Sequence, residues 1–228
     1  MTSFDMKPFY RELRKNPIAH AHLLNTFSYL EYIGFRKIVK SQEESELSLE
    51  VLSHASEEAR HALMLKKMAI RLGVTSVETY HEKEMLCGSD ARAYFQKLDH
   101  YVSDQLQPIF NADVAARLTY LYVTWLIEVR ALAVYADYTK VLSETGHSSP
   151  LGTLMAEEDR HLEFVTEFLT RYDEQFLPRS VDLKKYEAAL FGEFFQKLEH
   201  GLSTFTLSEP LSGPLPGAVS PSSRQVQF

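Results

Sequence analysis

Apolar residues recur every three to four positions along most of this chain, and strand-like alternation is weak everywhere, so the pattern predicts an all-α protein. The charged opening, MTSFDMKPFYRELRKNP, reads as one short helical stretch ending at Asn16-Pro17. A helix over about 17–40 follows, with Pro17 suited to its first turn and an apolar stripe of Leu24, Phe27, Leu30, Phe35 and Ile38. Glu31 falls inside that stripe. The next helix should span about 43–72 and stop at Gly73, with Leu49, Leu52, Leu65, Met68 and Leu72 along one face. After a mixed linker over 74–88, Ser89-Asp90 reads as the cap of a helix reaching about 107. Pro108 interrupts the pattern, and a long helix over about 113–144 carries LTYLYVTWLIEVRALAVY with Glu128 at its middle. Gly146, Ser149 and Pro150 make a turn, after which a helix should extend towards Leu177-Pro178. A last amphipathic helix over about 182–202 is rich in Phe191, Phe194 and Phe195. Residues 1–207 thus read as one helical domain, and 208–228 as a Pro/Ser/Gly-rich tail without regular structure.

Composition narrows the picture. With 228 residues, 45% of them hydrophobic, the chain suffices for one globular domain with a sizeable core. A net charge of -7 argues against a protein built to grip nucleic acid. Cys87 is the only cysteine, which excludes an internal disulfide and any thiolate-built metal module, and fits a reducing, cytoplasmic setting. The opening lacks the apolar stretch of a secretion signal. The greasiest run, Leu118 to Ile127, is bounded by Arg117 and Glu128, so no membrane span is expected.

One five-residue pattern occurs twice, as Glu57-Glu58-Ala59-Arg60-His61 and Glu157-Glu158-Asp159-Arg160-His161. Residues three apart share a helix face, so Glu58 with His61, and Glu158 with His161, each present an oxygen and a nitrogen side by side. About one Glu-x-x-His is expected by chance in a chain this long, but two copies sharing their flanking Glu and Arg are not. A coarse repeat also runs through the chain: Glu31 precedes Glu58 by 27 residues, and Glu128 precedes Glu158 by 30. Four carboxylates and two imidazoles on the inward stripes of four helices are costly unless something pairs with them. Two divalent cations balance four carboxylates, and four-helix bundles build di-iron or di-manganese sites from a single Glu on each of two helices and Glu-x-x-His on each of the others. Glu31, Glu58, His61, Glu128, Glu158 and His161 are therefore the candidate metal ligands. Oxygen-rich ligation with two imidazoles suits iron or manganese, giving two Fe ions as the expected cofactor, with Mn/Fe as a variant. His54, one turn before Glu58, reads as a hydrogen-bonded structural histidine, with an extra ligand or proton relay as the alternative.

Over about residues 17–178 the chain resembles the ferritin-like di-iron carboxylate superfamily, a four-helix bundle with one long crossover, here with additional helices over about 89–107 and 182–202. The extended EExRH pattern looks most like the acyl-carrier-protein desaturases and the aldehyde-deformylating oxygenases. By that resemblance Glu57 would orient His161 and Glu157 would orient His61, with Arg60 and Arg160 compensating those acids. Ala59 stands where bacterioferritins carry their haem-binding Met, and the single cysteine departs from the cysteine-rich module of rubrerythrins.

The resemblance implies an oxidoreductase: a non-haem di-iron oxidase or oxygenase that uses O2 and an external reductase or ferredoxin to oxidise a small hydrophobic substrate. Fatty acyl, aldehyde and aromatic compounds are the candidates. The 67 residues from His61 to Glu128, and those after the fourth ligand helix, would wall a substrate cavity. Phe27, Phe35, Trp125, Leu132 and Tyr135 are its candidate lining, and Tyr120, Tyr122, Tyr135 and Tyr138 candidate electron relays, although core packing explains all of these equally. A homodimer is compatible with this reading, and a docking acyl carrier protein has no motif of its own here. The alternatives are a ferroxidase or peroxide-reducing protein without an organic substrate, and a metal-stabilised interaction protein.

Overall fold

The computed structural model describes residues 4–41, 48–74, 76–144, 146 and 150–208. These form seven α-helices and no strand: α1 (Lys7–Leu13), α2 (Pro17–Ser41), α3 (Leu49–Arg71), α4 (Gly88–Leu106), α5 (Ala112–Ser143), α6 (Gly152–Tyr172) and α7 (Phe176–Ser208). The expected Pro/Ser/Gly tail from 209 onward, and the first residues of the expected 43–72 helix, lie outside the described residues.

Local chemistry explains most boundaries. The Asn16 carboxamide oxygen accepts from the Ala19 amide at 3.0 Å beside Pro17 in the first turn of α2. Ser48 and Asn111 cap α3 and α5 by accepting from the amides of Val51 and Val114. Gly73, at φ +67, ends α3 where a side chain would be strained.

Three expectations need correction. Ser89-Asp90 does not cap α4; Cys87 holds the cap position at φ +58, while the Ser89 amide and hydroxyl both donate to Glu82. The second motif helix does not reach Leu177-Pro178 but ends at Tyr172, because the Asp173 carboxylate draws in the Gln175 amide, the Tyr122 hydroxyl and Arg179. Pro178 instead lies in the first turn of α7, where a missing N–H costs nothing, so the last helix runs from 176 to 208 rather than 182–202. Along α3, Leu65 is buried but Leu49 and Leu52 are exposed.

Helices α2 and α3 pack along one another, as do α5 and α6, and α4 lies against α5, α7 and α2. Side chains from all seven helices join one core. Among the described residues, α5 alone is long and apolar enough to cross a membrane by length and composition. More than half of that stretch is buried inside the protein, because α5 packs against α1, α2, α4, α6 and α7.

Candidate metal centre

The six expected ligands converge. Glu31 comes from the middle of α2, Glu58 and His61 from α3, Glu128 from the middle of α5, and Glu158 and His161 from α6. His54 joins them. Lying four and seven residues before Glu58 and His61, it shares their face of α3. None of the seven is more than 8% exposed.

The ligand atoms gather into two groups, each within 4.8 Å: Glu31, Glu58, His61 and Glu158, and His54, Glu58, Glu128 and His161. His54 Nε2 lies 3.4 Å from both Glu58 and Glu128, and its ring centroid is 3.9 Å from that of His161. Sequence alone favours a hydrogen-bonded structural histidine here; in the structure its Nε2 has no hydrogen-bond partner and faces Glu58 and Glu128. The second motif has no counterpart, because Leu154 stands four residues before Glu158.

The cluster is incomplete as a hydrogen-bonded system. His54 Nε2, His61 Nδ1, His161 Nδ1, Glu128 Oε2 and Glu158 Oε1 are all buried without a hydrogen bond, and orphans of this kind are rare in native cores. Their carboxylate–imidazole chemistry fits divalent cations of the iron and manganese type. In the bare protein, protons offset the clustered carboxylate charge. Burial, then the charges of Glu158 and Glu58, push Glu31 well up; burial and Glu158 do the same to Glu128. Burial alone would lower His61, but Glu158, Glu31 and Glu58 outweigh it and raise the imidazole to about 10. Burial likewise opposes, and Glu158 and Glu57 outweigh, for His161, which is also raised.

Outside the cluster, the acids expected to orient the histidines are in contact with them. The Glu57 carboxylate is 2.6 Å from His161 Nε2, and the Glu157 carboxylate 2.8 Å from His61 Nε2. Both contacts cross between α3 and α6. Each leaves Nδ1 turned towards the cluster. Arg60 lies 2.9 Å from Glu157 and Arg160 3.4 Å from Glu57, both arginines half or more exposed.

An apolar cavity reaches Glu31, Glu58, Glu128 and Glu158, with walls that include Phe27, Phe95, Phe191 and Phe194. Its α4 and α7 walls come from helices that supply no ligand. Of the expected lining, Phe27 and Tyr135 are present; Phe35, Trp125 and Leu132 are not. Trp125 turns towards Phe176 and donates to Thr166. Among the four candidate relay tyrosines, Tyr135 donates to Glu31, Tyr138 pairs with His20 and Tyr122 donates to Asp173, while Tyr120 lines the cavity. A second hollow, between α3, α5 and α6, reaches His54 and His161.

Two further contributors escaped sequence reasoning. A Cβ at Gly34 would meet Glu58 Oε2 at 2.8 Å, so glycine gives that carboxylate its room. A glycine inside a helix costs about 1 kcal/mol against alanine, and its place three residues after Glu31 was the available signal. Arg130 and Glu187 form a buried bidentate pair at 2.7 and 2.8 Å, completed by the Tyr94 hydroxyl at 2.8 Å. Its partners come from three helices, and no local motif announces them.

The chain matches no family model, no curated protein and no solved structure. The class that fold and site define is therefore an all-helical protein with buried His/Glu groups at metal-binding distance.

Proposed function

We propose that this protein is a ferritin-like, non-haem di-iron oxidase or oxygenase acting on a small hydrophobic molecule. The supporting observation is the apolar cavity that ends on Glu31, Glu58, Glu128 and Glu158 and is walled by α4 and α7, two helices that metal binding alone does not need. Glu31, His54, Glu58, His61, Glu128, Glu158 and His161 would hold two iron ions. Iron held there would supply O2-dependent redox chemistry, with a separate reductase or ferredoxin as the source of electrons.

The protein's own groups prepare the site. Glu57 and Glu157 hold the His161 and His61 rings with Nε2 outward, fixing the tautomer that leaves Nδ1 as a donor atom. Tyr135 keeps its proton, since burial and the neighbouring Glu31 raise its pKa, and donates it in a hydrogen bond to Glu31. The aromatic walls keep water from a substrate held against the carboxylates.

The test is anaerobic reduction of iron-loaded protein, O2 exposure, and a screen of acyl, aldehyde and aromatic compounds. The expected result is O2 consumption tied to an oxidised organic product. Consumption only in proportion to added Fe2+, with ferric mineral deposited, would replace this reading with ferroxidase activity.

A further inference from the structure

Arg130 apart, the cavity is charged at two places, and the signs are opposite. The four glutamates of the metal centre form one. The other is Lys37, six residues beyond Glu31 on α2, or ~9 Å of helix at 1.5 Å per residue. Arg130 also lines the cavity, but its guanidinium is engaged by both carboxylate oxygens of Glu187. Lys37 is less committed. It pairs with Asp99 of α4, whose side chain is 44% exposed, and its ammonium lies 5.4 Å from the centre of the Phe95 ring. Burial has stripped enough water from this amine to lower its pKa to about 8. A cation in such a place favours an anionic partner that brings its own apolar cover.

We propose that Lys37 is a head-group site: the cavity takes an aliphatic carboxylate, whose head replaces Asp99 on Lys37 and whose tail runs between Phe27, Phe95, Phe191 and Phe194 towards the glutamates. This rests on the oxidase reading of the same cavity and narrows its substrate to a free acid. Charge sets the direction. With two divalent cations in place the four glutamates are already balanced and offer a further carboxylate no net charge, whereas at Lys37 it exchanges one carboxylate for another. Asp99, being partly exposed, swings into water at little cost. The span from Lys37 to Glu31 then brings mid-chain carbons, not the carbon next to the carboxylate, to the metal centre. A neutral aldehyde or a carrier-bound thioester has no charge with which to displace Asp99.

Calorimetric titration of the full, metal-loaded chain with decanoate and decanol tests the assignment. Lys37→Gln should weaken decanoate about tenfold or more, Lys37→Arg should restore most of that loss, and Asp99→Asn should tighten decanoate by removing its competitor. Decanol affinity should move by less than about twofold in all three. Decanoate binding that is undetectable in the wild type, undiminished in Lys37→Gln, or reduced no more than that of decanol overturns the proposal. The oxidase reading fails separately, if the wild type binds decanoate yet yields no organic product with O2.

Discussion

Two groups of buried charge touch α5, and they are built on opposite plans. Around Arg130, one guanidinium meets one carboxylate, both oxygens of Glu187 are used, and the Tyr94 hydroxyl fills the remaining position. Two residues before Arg130, Glu128 enters a cluster with four carboxylates, three imidazoles and ring nitrogens that face inward without hydrogen bonds. The first arrangement is complete as it stands and needs only the fold. The second has an excess of acceptors that protons satisfy poorly and cations satisfy well. Burial alone does not separate scaffold from site; the balance of donors and acceptors does.

The largest expected effect tests that contrast directly. Glu187→Ala strands a buried guanidinium and should lower the unfolding free energy of metal-free protein by about 3–5 kcal/mol. Glu128→Gln reproduces the neutral carboxyl that the bare cluster already favours, so in denaturant titration it should cost less than about 1 kcal/mol while abolishing stoichiometric binding of two metals. Equal destabilisation by the two substitutions would erase the distinction.

Next in size is the effect of metal. In the bare protein the raised His61 contributes stability that is fully present below about pH 6.5 and is lost as pH rises towards about 10. Glu31 and Glu128, also raised, lose stability in the same direction as pH climbs above the ordinary carboxylate range. Cations bound there would take the place of those protons, so the melting temperatures of loaded and bare protein should diverge as pH rises above 6.5. At a hundredfold excess of metal over Kd, the gain is about 2.7 kcal/mol, or roughly 5–10 °C, for each of the two sites. Melting curves that coincide across this range would rule out the proposed metals.

The smallest effects lie at the periphery. Glu57→Gln or Glu157→Gln should weaken metal about 10–100-fold in a chelator competition, because a misoriented imidazole is a poorer ligand. Arg60→Ala and Arg160→Ala remove half-exposed ion pairs and should change stability by no more than about 1 kcal/mol. Arginine variants as damaging to metal affinity as the glutamate variants would show that the outer charges, not the tautomer, govern the site.

The sequence exposed this cluster because its signal is local. Glu58 with His61 and Glu158 with His161 are neighbours on one helix face, and Glu31 and Glu128 break otherwise apolar stripes. Helix periodicity likewise marked the middle of α2, α5 and α7, where packing and propensity agree. What escaped depends on distant partners. The Asp173 contacts that end α6 join α5 to the start of α7, and the Arg130–Glu187–Tyr94 set joins α5, α7 and α4. Neither has a fixed spacing to read. His54 was legible in spacing but not in role, since a histidine on an inward face looks the same whether it meets a carbonyl oxygen or a cluster of acids.

That histidine also breaks the likeness of the two halves. With His54 on α3 and Leu154 at the matching place on α6, one group of ligand atoms has two imidazoles and two carboxylates, and the other one imidazole and three carboxylates. Two cations held there would not be equals. The nitrogen-richer seat would fill first with the metals that favour imidazole, the oxygen-richer seat would favour the harder ion, and a mixture of metals offered to the protein would sort itself by position.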